Sequence, residues 1–120
     1  MDRKEVKELA VTAAKARLLA VEAVHRCATG HPGGSLSVMD ALTVLYFHTM
    51  RIDPANPADP DRDRFVLSKG HCTPALYSIL ALRGYYDVKE LDLFRSIDGH
   101  MSGHPDMVNV KGVDMSTGSL

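Results

Sequence analysis

Asp63-Arg64-Phe65-Val66-Leu67-Ser68-Lys69-Gly70-His71-Cys72-Thr73-Pro74 changes character twice between residues 63 and 74. Phe65-Val66-Leu67 is a short apolar run, charged on one side and turn-forming on the other, and it reads as a buried strand. Thr73-Pro74 reads as a helix start, with Thr73 as N-cap and Pro74 at the first helical position, where a missing N–H would go unpaired anyway. One strand followed by a helix is compatible with an α/β class, although a doubly wound parallel sheet needs several strands and only one is evident here.

Working outward, the rest is mostly helical. Residues 2–29 read as one long helix, with Val6, Leu9, Ala13, Ala16, Ala20 and Val24 recurring at steps of three and four on one face. Alanine-rich sequence has high helix propensity, and its small face suits close packing on another helix. Asp2 is placed to cap the start, and Gly30 to supply the left-handed turn at the end. Gly30 to Gly34 reads as a loop. A second helix then starts at Ser35 or Ser37, where Ser37 and Asp40 resemble a capping box. Pro54, Pro57 and Pro60 among aspartates mark an exposed connection over residues 53–64. The third helix carries Leu76, Ile79 and Leu80 and ends near Gly84, and Asp87 starts a fourth through Leu91 and Phe94. Beyond Ser96 the chain is loop-like. Residues 1–120 make a single partial domain, mostly helical with one or few short strands.

Bulk composition removes several function classes. Of 120 residues, 45% are hydrophobic and 24% charged, as in folded globular proteins. With 14 basic and 15 acidic residues the net charge is -1, and no basic block gives the footprint of a nucleic-acid binder. No apolar run is long enough to span a bilayer, and the charged start Met1-Asp2-Arg3-Lys4-Glu5 does not read as a secretory signal. Cys27 and Cys72 form neither a metal spacing nor a disulfide framework. A reduced, cytoplasmic protein is the default expectation.

The chemistry-bearing residues are histidines in loops. Of six histidines, His31 lies in Gly-His-Pro-Gly-Gly, His71 in Ser-Lys-Gly-His and His104 in Gly-His-Pro-Asp. Each follows a glycine, between regular elements, where ligand-contacting side chains concentrate. Imidazole both donates and accepts near neutral pH, which suits hydroxyl recognition and proton transfer on a sugar. Any one such loop alone is more often a plain turn, and its recurrence is what favours function. Gly33 and Gly34 precede a helix N-terminus, where a diphosphate could sit, although spacing alone favours a simple release of the chain. His100 and His104 are four apart, but Gly99, Gly103 and Pro105 argue against a helix and no Cys or Glu completes a metal set. His25 and His48 read as helix-surface or packing residues, and a Cys72–His71 nucleophile pair lacks an orienting group.

These motifs resemble a family. Residues 29–37, Thr-Gly-His-Pro-Gly-Gly-Ser-Leu-Ser, resemble the first histidine loop of transketolases, and residues 63–71 resemble the second. Gly103-His104-Pro105, then residues 112–120, Gly-Val-Asp-Met-Ser-Thr-Gly-Ser-Leu, resemble the third loop and the segment that meets the cofactor's aminopyrimidine. Order and spacing match along nearly the whole chain, most closely the N-terminal subunit of split forms.

The resemblance implies transfer of a two-carbon ketol unit between sugar phosphates, with thiamine diphosphate as electron sink. It implies that His31 and His104 contact donor hydroxyls and that His31 assists proton transfer. His71 is then beside the cofactor, and Gly118, Ser119 and Leu120 meet it. Lys69 is a candidate for neutralising the diphosphate, against the simpler reading of a solvated lysine. Some family members carry a hydroxyl or larger residue at Gly33 or Gly34, and some a proline at Ser119.

Neither the family's Gly-Asp-Gly magnesium motif nor its downstream asparagine occurs here. The Mg2+ ligands and the aminopyrimidine's glutamate are therefore expected outside this chain, on the remainder of the enzyme or a partner subunit in a homo- or hetero-oligomer. The expectation is a fragment, or one piece of a divided enzyme, inactive alone. The alternatives are a non-catalytic binding module of a transketolase-like complex and a related enzyme such as dihydroxyacetone synthase. 1-Deoxyxylulose-5-phosphate synthase fits the loops less well.

Overall fold

The computed structural model describes residues 1–28, 32–97 and 99–118. Three α-helices form the frame: α1 over Arg3–Cys27, α2 over Pro32–Val44 and α3 over Thr73–Arg83. A π turn, Leu45–Thr49, extends α2. Two 3-10 turns, Gly70–Cys72 and Val88–Leu93, precede and follow α3.

Helix α1 starts at a complete capping box: Glu5 N–H donates to Asp2 Oδ1 at 2.8 Å and Asp2 N–H to Glu5 Oε2 at 2.8 Å. Its buried stripe is Ala13, Ala16, Ala20 and Ala23, which lies against α2 and α3. Val6, expected on that face, is exposed, lining an open hollow with Asp40, Thr43 and Val44 of α2. The left-handed residue that ends α1 is Ala28, at φ 55°, rather than Gly30, which lies outside the described residues.

The fully buried alanines of α1 are the positions where a larger side chain costs most. Ala16 is fully buried, whereas Ala14 faces solvent. Ala16→Leu is expected to destabilise by about 2 kcal/mol through overpacking, and Ala14→Leu by less than about 0.5. Urea denaturation of the two variants measures the difference.

Helix α3 is the centre. Every residue from Thr73 to Ala81 is buried, so it is covered on all sides. Its buried hydroxyls are satisfied locally: Ser78 Oγ donates to Pro74 C=O at 2.7 Å and Thr73 Oγ1 donates to Gly70 C=O. Thr73 is the first helical residue with Cys72 as cap, one place earlier than the sequence suggests, and Gly84 at φ 108° closes the helix as expected.

Two expectations give way. Helix α2 begins at Pro32, so Gly33 and Gly34 lie inside its first turn rather than in a loop. Proline is preorganised for a first helical position, and burial of Ser35, Met39, Leu42 and Thr43 outweighs the poor propensity of two glycines. Ser37 is consequently no cap: its Oγ donates to Gly34 C=O at 3.0 Å, while Asp40 pairs with Arg17 of α1 at 3.0 Å. The mostly helical α/β-derived class holds, but Phe65–Leu67 pairs with no strand among the described residues. A strand needs a neighbour for its backbone groups. Here Phe65 N–H donates to Asp114 Oδ2 at 2.8 Å, and Leu67 C=O accepts from Thr117 Oγ1 at 2.7 Å. Leu67 is buried and Val66 is 51% exposed. Residues 88–93 form a 3-10 turn rather than a fourth α-helix, with Asp87 capping Lys89 N–H at 2.9 Å.

Candidate functional site

The second histidine loop leads straight into the buried helix. Gly70–Cys72 is a single tight turn, and its C-terminal neighbour Thr73 opens α3. His71 is therefore held at the N-terminal end of the most buried element. Gly70 is itself buried, and a Cβ there would lie 2.6 Å from Gly118 C=O. Only glycine lets these two backbone segments approach so closely.

The third loop meets the second at their histidine rings. The rings of His71 and His104 meet edge to face, with centroids 5.4 Å apart and planes at 74°. The turn carrying His104 is fixed by several bonds. Ser102 Oγ donates to His104 C=O at 2.8 Å, and Tyr77 O–H donates to the same oxygen at 3.1 Å. Asp106 N–H donates back to Tyr77 Oη at 3.1 Å. The Asp106 carboxylate accepts from Asn109 Nδ2 at 2.8 Å and from the Val108 and Asn109 amides at 2.9 and 3.2 Å. The Asn109 side-chain bond is the main cause that holds this carboxyl below its ordinary value. Its contribution to stability is present above the usual carboxylate range and is lost as pH falls through the lowered value.

The segment ending at Gly118 is tied to both loops. Thr117 N–H donates to Pro105 C=O at 3.2 Å, and Thr117 Oγ1 reaches Leu67. Upstream, Asp114 receives Arg62 Nη2 at 3.2 Å and Nε at 3.3 Å while also binding Phe65 N–H.

Beside His71 lies a hollow of about 270 Å³ lined by Gly34, Lys69, His71 and Cys72. Its floor depends on the missing side chain at Gly34: a Cβ there would lie 2.7 Å from Cys72 Sγ and 3.3 Å from Lys69 Nζ. A lysine ammonium thus stands over the first turn of α2, where unpaired N–H groups give partial positive charge. Such a cradle fits a diphosphate.

Among the site residues expected from the sequence, His71, His104 and Gly118 are brought together. His31, Ser119 and Leu120 lie outside the described residues. His100 sits apart in an exposed position, 3.8 Å from Glu90. His25 and His48 are both exposed, on α1 and the π turn. No group of three His, Cys, Asp or Glu side chains among the described residues is arranged to hold a metal. Tyr77 was not legible as a site residue, and Asp114 and Thr117 lay within the matched segment 112–120 without a role of their own. Tyr77 falls within an apolar helical stretch, and its hydroxyl finds partners only through long-range folding.

Residues 7–120 match the family described as transketolase, thiamine diphosphate binding domain, and the chain belongs to that family. Over 104 residues, 87% of the chain, it is 49% identical to the 6-deoxy-6-sulfo-D-fructose transketolase subunit SqwG of Clostridium sp. (strain MSTE9), covering 38% of that subunit. It is 40% identical over 97% of its length to an apulose-4-phosphate transketolase subunit of Phocaeicola vulgatus, covering 41% of it. Among solved structures it superposes on Pichia stipitis transketolase in complex with sedoheptulose 7-phosphate with a TM-score of 0.85 at 41% identity, covering 91% of this chain and 16% of that one. The match to Leishmania mexicana transketolase has a TM-score of 0.87 at 32% identity, covering 93% and 17%. The chain thus spans about two-fifths of the subunits it resembles and about a sixth of the single-chain enzymes.

Proposed function

We propose that this chain contributes the donor-side histidines and part of the coenzyme cradle of a transketolase. The reaction is transfer of a two-carbon ketol unit from a ketose phosphate to an aldose phosphate. The remaining transketolase sequence, in cis or as a second subunit of an oligomer, supplies the Mg2+ ligands and the rest of the site, and the chain alone is inactive. The cytoplasm, where sugar phosphates are found, is the proposed location. No helix of the described residues is long and apolar enough to cross a membrane.

The observation that carries this reading is the meeting of His71 and His104 at 5.4 Å. They come from loops 33 positions apart in sequence (104 minus 71) and sit where the Gly118 segment touches Gly70. Bound thiamine diphosphate supplies the electron sink for breaking and forming a carbon–carbon bond beside a carbonyl. The protein's part is orientation and proton handling. His104 and His31 hold donor hydroxyls, with His31 also assisting proton transfer. His71 and the backbone of Gly118 flank the coenzyme, Ser119 and Leu120 continue that contact, and Lys69 with the first turn of α2 offsets diphosphate charge.

The test is ketol transfer from a ketose phosphate, measured with the chain alone and with the chain completed by the remaining transketolase sequence. Turnover is expected only in the completed enzyme. Turnover by the isolated chain, or none after completion despite thiamine diphosphate binding, would overturn the reading, the second outcome in favour of a binding module. In the completed enzyme, His104→Ala is expected to lower kcat/KM for the donor by about tenfold to a hundredfold, with coenzyme affinity changed less than twofold.

A further inference from the structure

Tyr77 belongs to none of the histidine loops, yet it holds one of them. Its ring is fully buried in the middle of α3 and packs edge to face on Phe94, at 6.1 Å and 89°. Its hydroxyl reaches out of the core to the turn His104-Pro105-Asp106. The O–H donates to His104 C=O at 3.1 Å, and Oη accepts from Asp106 N–H at 3.1 Å. Pro105 between them has no N–H to contribute, so one hydroxyl binds the backbone on both sides of the proline. Burial pushes this phenol up to about 12, so it stays neutral and keeps both donor and acceptor roles through the working pH range. On the other side, Tyr86 O–H donates to Tyr77 C=O at 2.7 Å, anchoring the base of the residue.

Helix α3 therefore connects to both histidines. At its N-terminal end the Gly70–Cys72 turn carries His71, and from its interior Tyr77 carries the His104 turn. We propose that Tyr77 is a positioning residue of the candidate site: its hydroxyl fixes the His104 turn to α3 and so sets the separation of the His104 and His71 rings. This rests on the reading that His104 meets the donor. The effect is indirect, because Tyr77 lies beneath the turn and acts through it.

The conservative test is Tyr77→Phe, which keeps the ring against Phe94 and removes both hydrogen bonds. In the completed enzyme kcat/KM for the donor is expected to fall about five- to tenfold, with the Kd for thiamine diphosphate unchanged within twofold. In a His104→Ala background the same substitution is expected to change kcat/KM by less than twofold, since a residue acting through His104 has nothing left to position. Activity retained within twofold by Tyr77→Phe alone would overturn the proposal. So would an undiminished loss in the His104→Ala background, which would mark a general structural role.

A second readout separates this proposal from the proposed reaction. The imidazole NMR signal of His104 is expected to shift in Tyr77→Phe while those of exposed His25 and His48 stay in place. If ketol transfer fails altogether but the His104 signal moves, the positioning role survives the loss of the catalytic reading. An unmoved His104 signal overturns it.

Discussion

Gly70→Ala is expected to weaken thiamine diphosphate binding at least a hundredfold in the completed enzyme and to depress turnover further. The new Cβ would lie 2.6 Å from the Gly118 carbonyl oxygen and 3.0 Å from its C and Cα atoms. All three are backbone atoms, so no side chain can swing aside. Gly118 could retreat only by stretching the Thr117 bonds to Pro105 and Leu67, which tie its segment to the other two. A displacement near 1 Å costs reaction rate on the order of a hundredfold, and the same factor in affinity corresponds to about 2.7 kcal/mol. Titration calorimetry with thiamine diphosphate checks the value. Binding within threefold of wild type would show that the Gly70–Gly118 contact does not shape the coenzyme site. Gly33→Ala serves as contrast: nothing lies within 4 Å of its Cβ and it is helical, so folding stability should rise by roughly 0.5 kcal/mol.

The second large effect is expected for Asp114→Ala, a loss of about 3 kcal/mol in folding stability. The carboxylate is 10% exposed and its partner Arg62 18% exposed, so neither charge is well solvated. Removing Asp114 takes away the carboxylate that neutralises the Arg62 guanidinium, which keeps its bond to Asp59 C=O at 2.8 Å, and leaves Phe65 N–H without its acceptor. Breaking a buried pair from one side is costly for that reason. Guanidinium denaturation measures the loss. A combined Arg62→Met and Asp114→Ala variant should recover part of it, because no uncompensated charge remains. A fall below about 1 kcal/mol for the single variant would mean that water enters and solvates Arg62.

What could be read from the sequence was whatever depends on near neighbours. The Asp2 cap, the alanine stripe of α1, the Gly84 stop and the Asp87 cap all rest on residues within a turn of one another. The histidine loops were recognisable because their glycines and prolines are local signals too. What escaped depends on distant partners. Helix α2 runs through Gly33 and Gly34 because its other residues are buried against the core, a tertiary effect that outweighs propensity. Phe65–Leu67 has the composition of a strand, but its backbone groups meet the side chains of Asp114 and Thr117, some fifty positions away. Of the site, the rings of His71 and His104 that meet belong to two of the loops the motifs single out, whereas the Tyr77 hydroxyl gave no sign of its role. An apolar helical context makes a tyrosine look like packing alone.

Because α3 is enclosed on every side, the turns anchored to it have no cheap way to open by themselves. Loosening the His104 turn means breaking bonds to a residue in the deepest layer of the molecule. Amide exchange at Asp106 should therefore follow the rare unfolding of the whole domain rather than the frequent fraying of a surface loop. The histidine pair inherits its rigidity from the core, so a ligand that settles there meets a surface already set and loses little freedom of the chain on arrival.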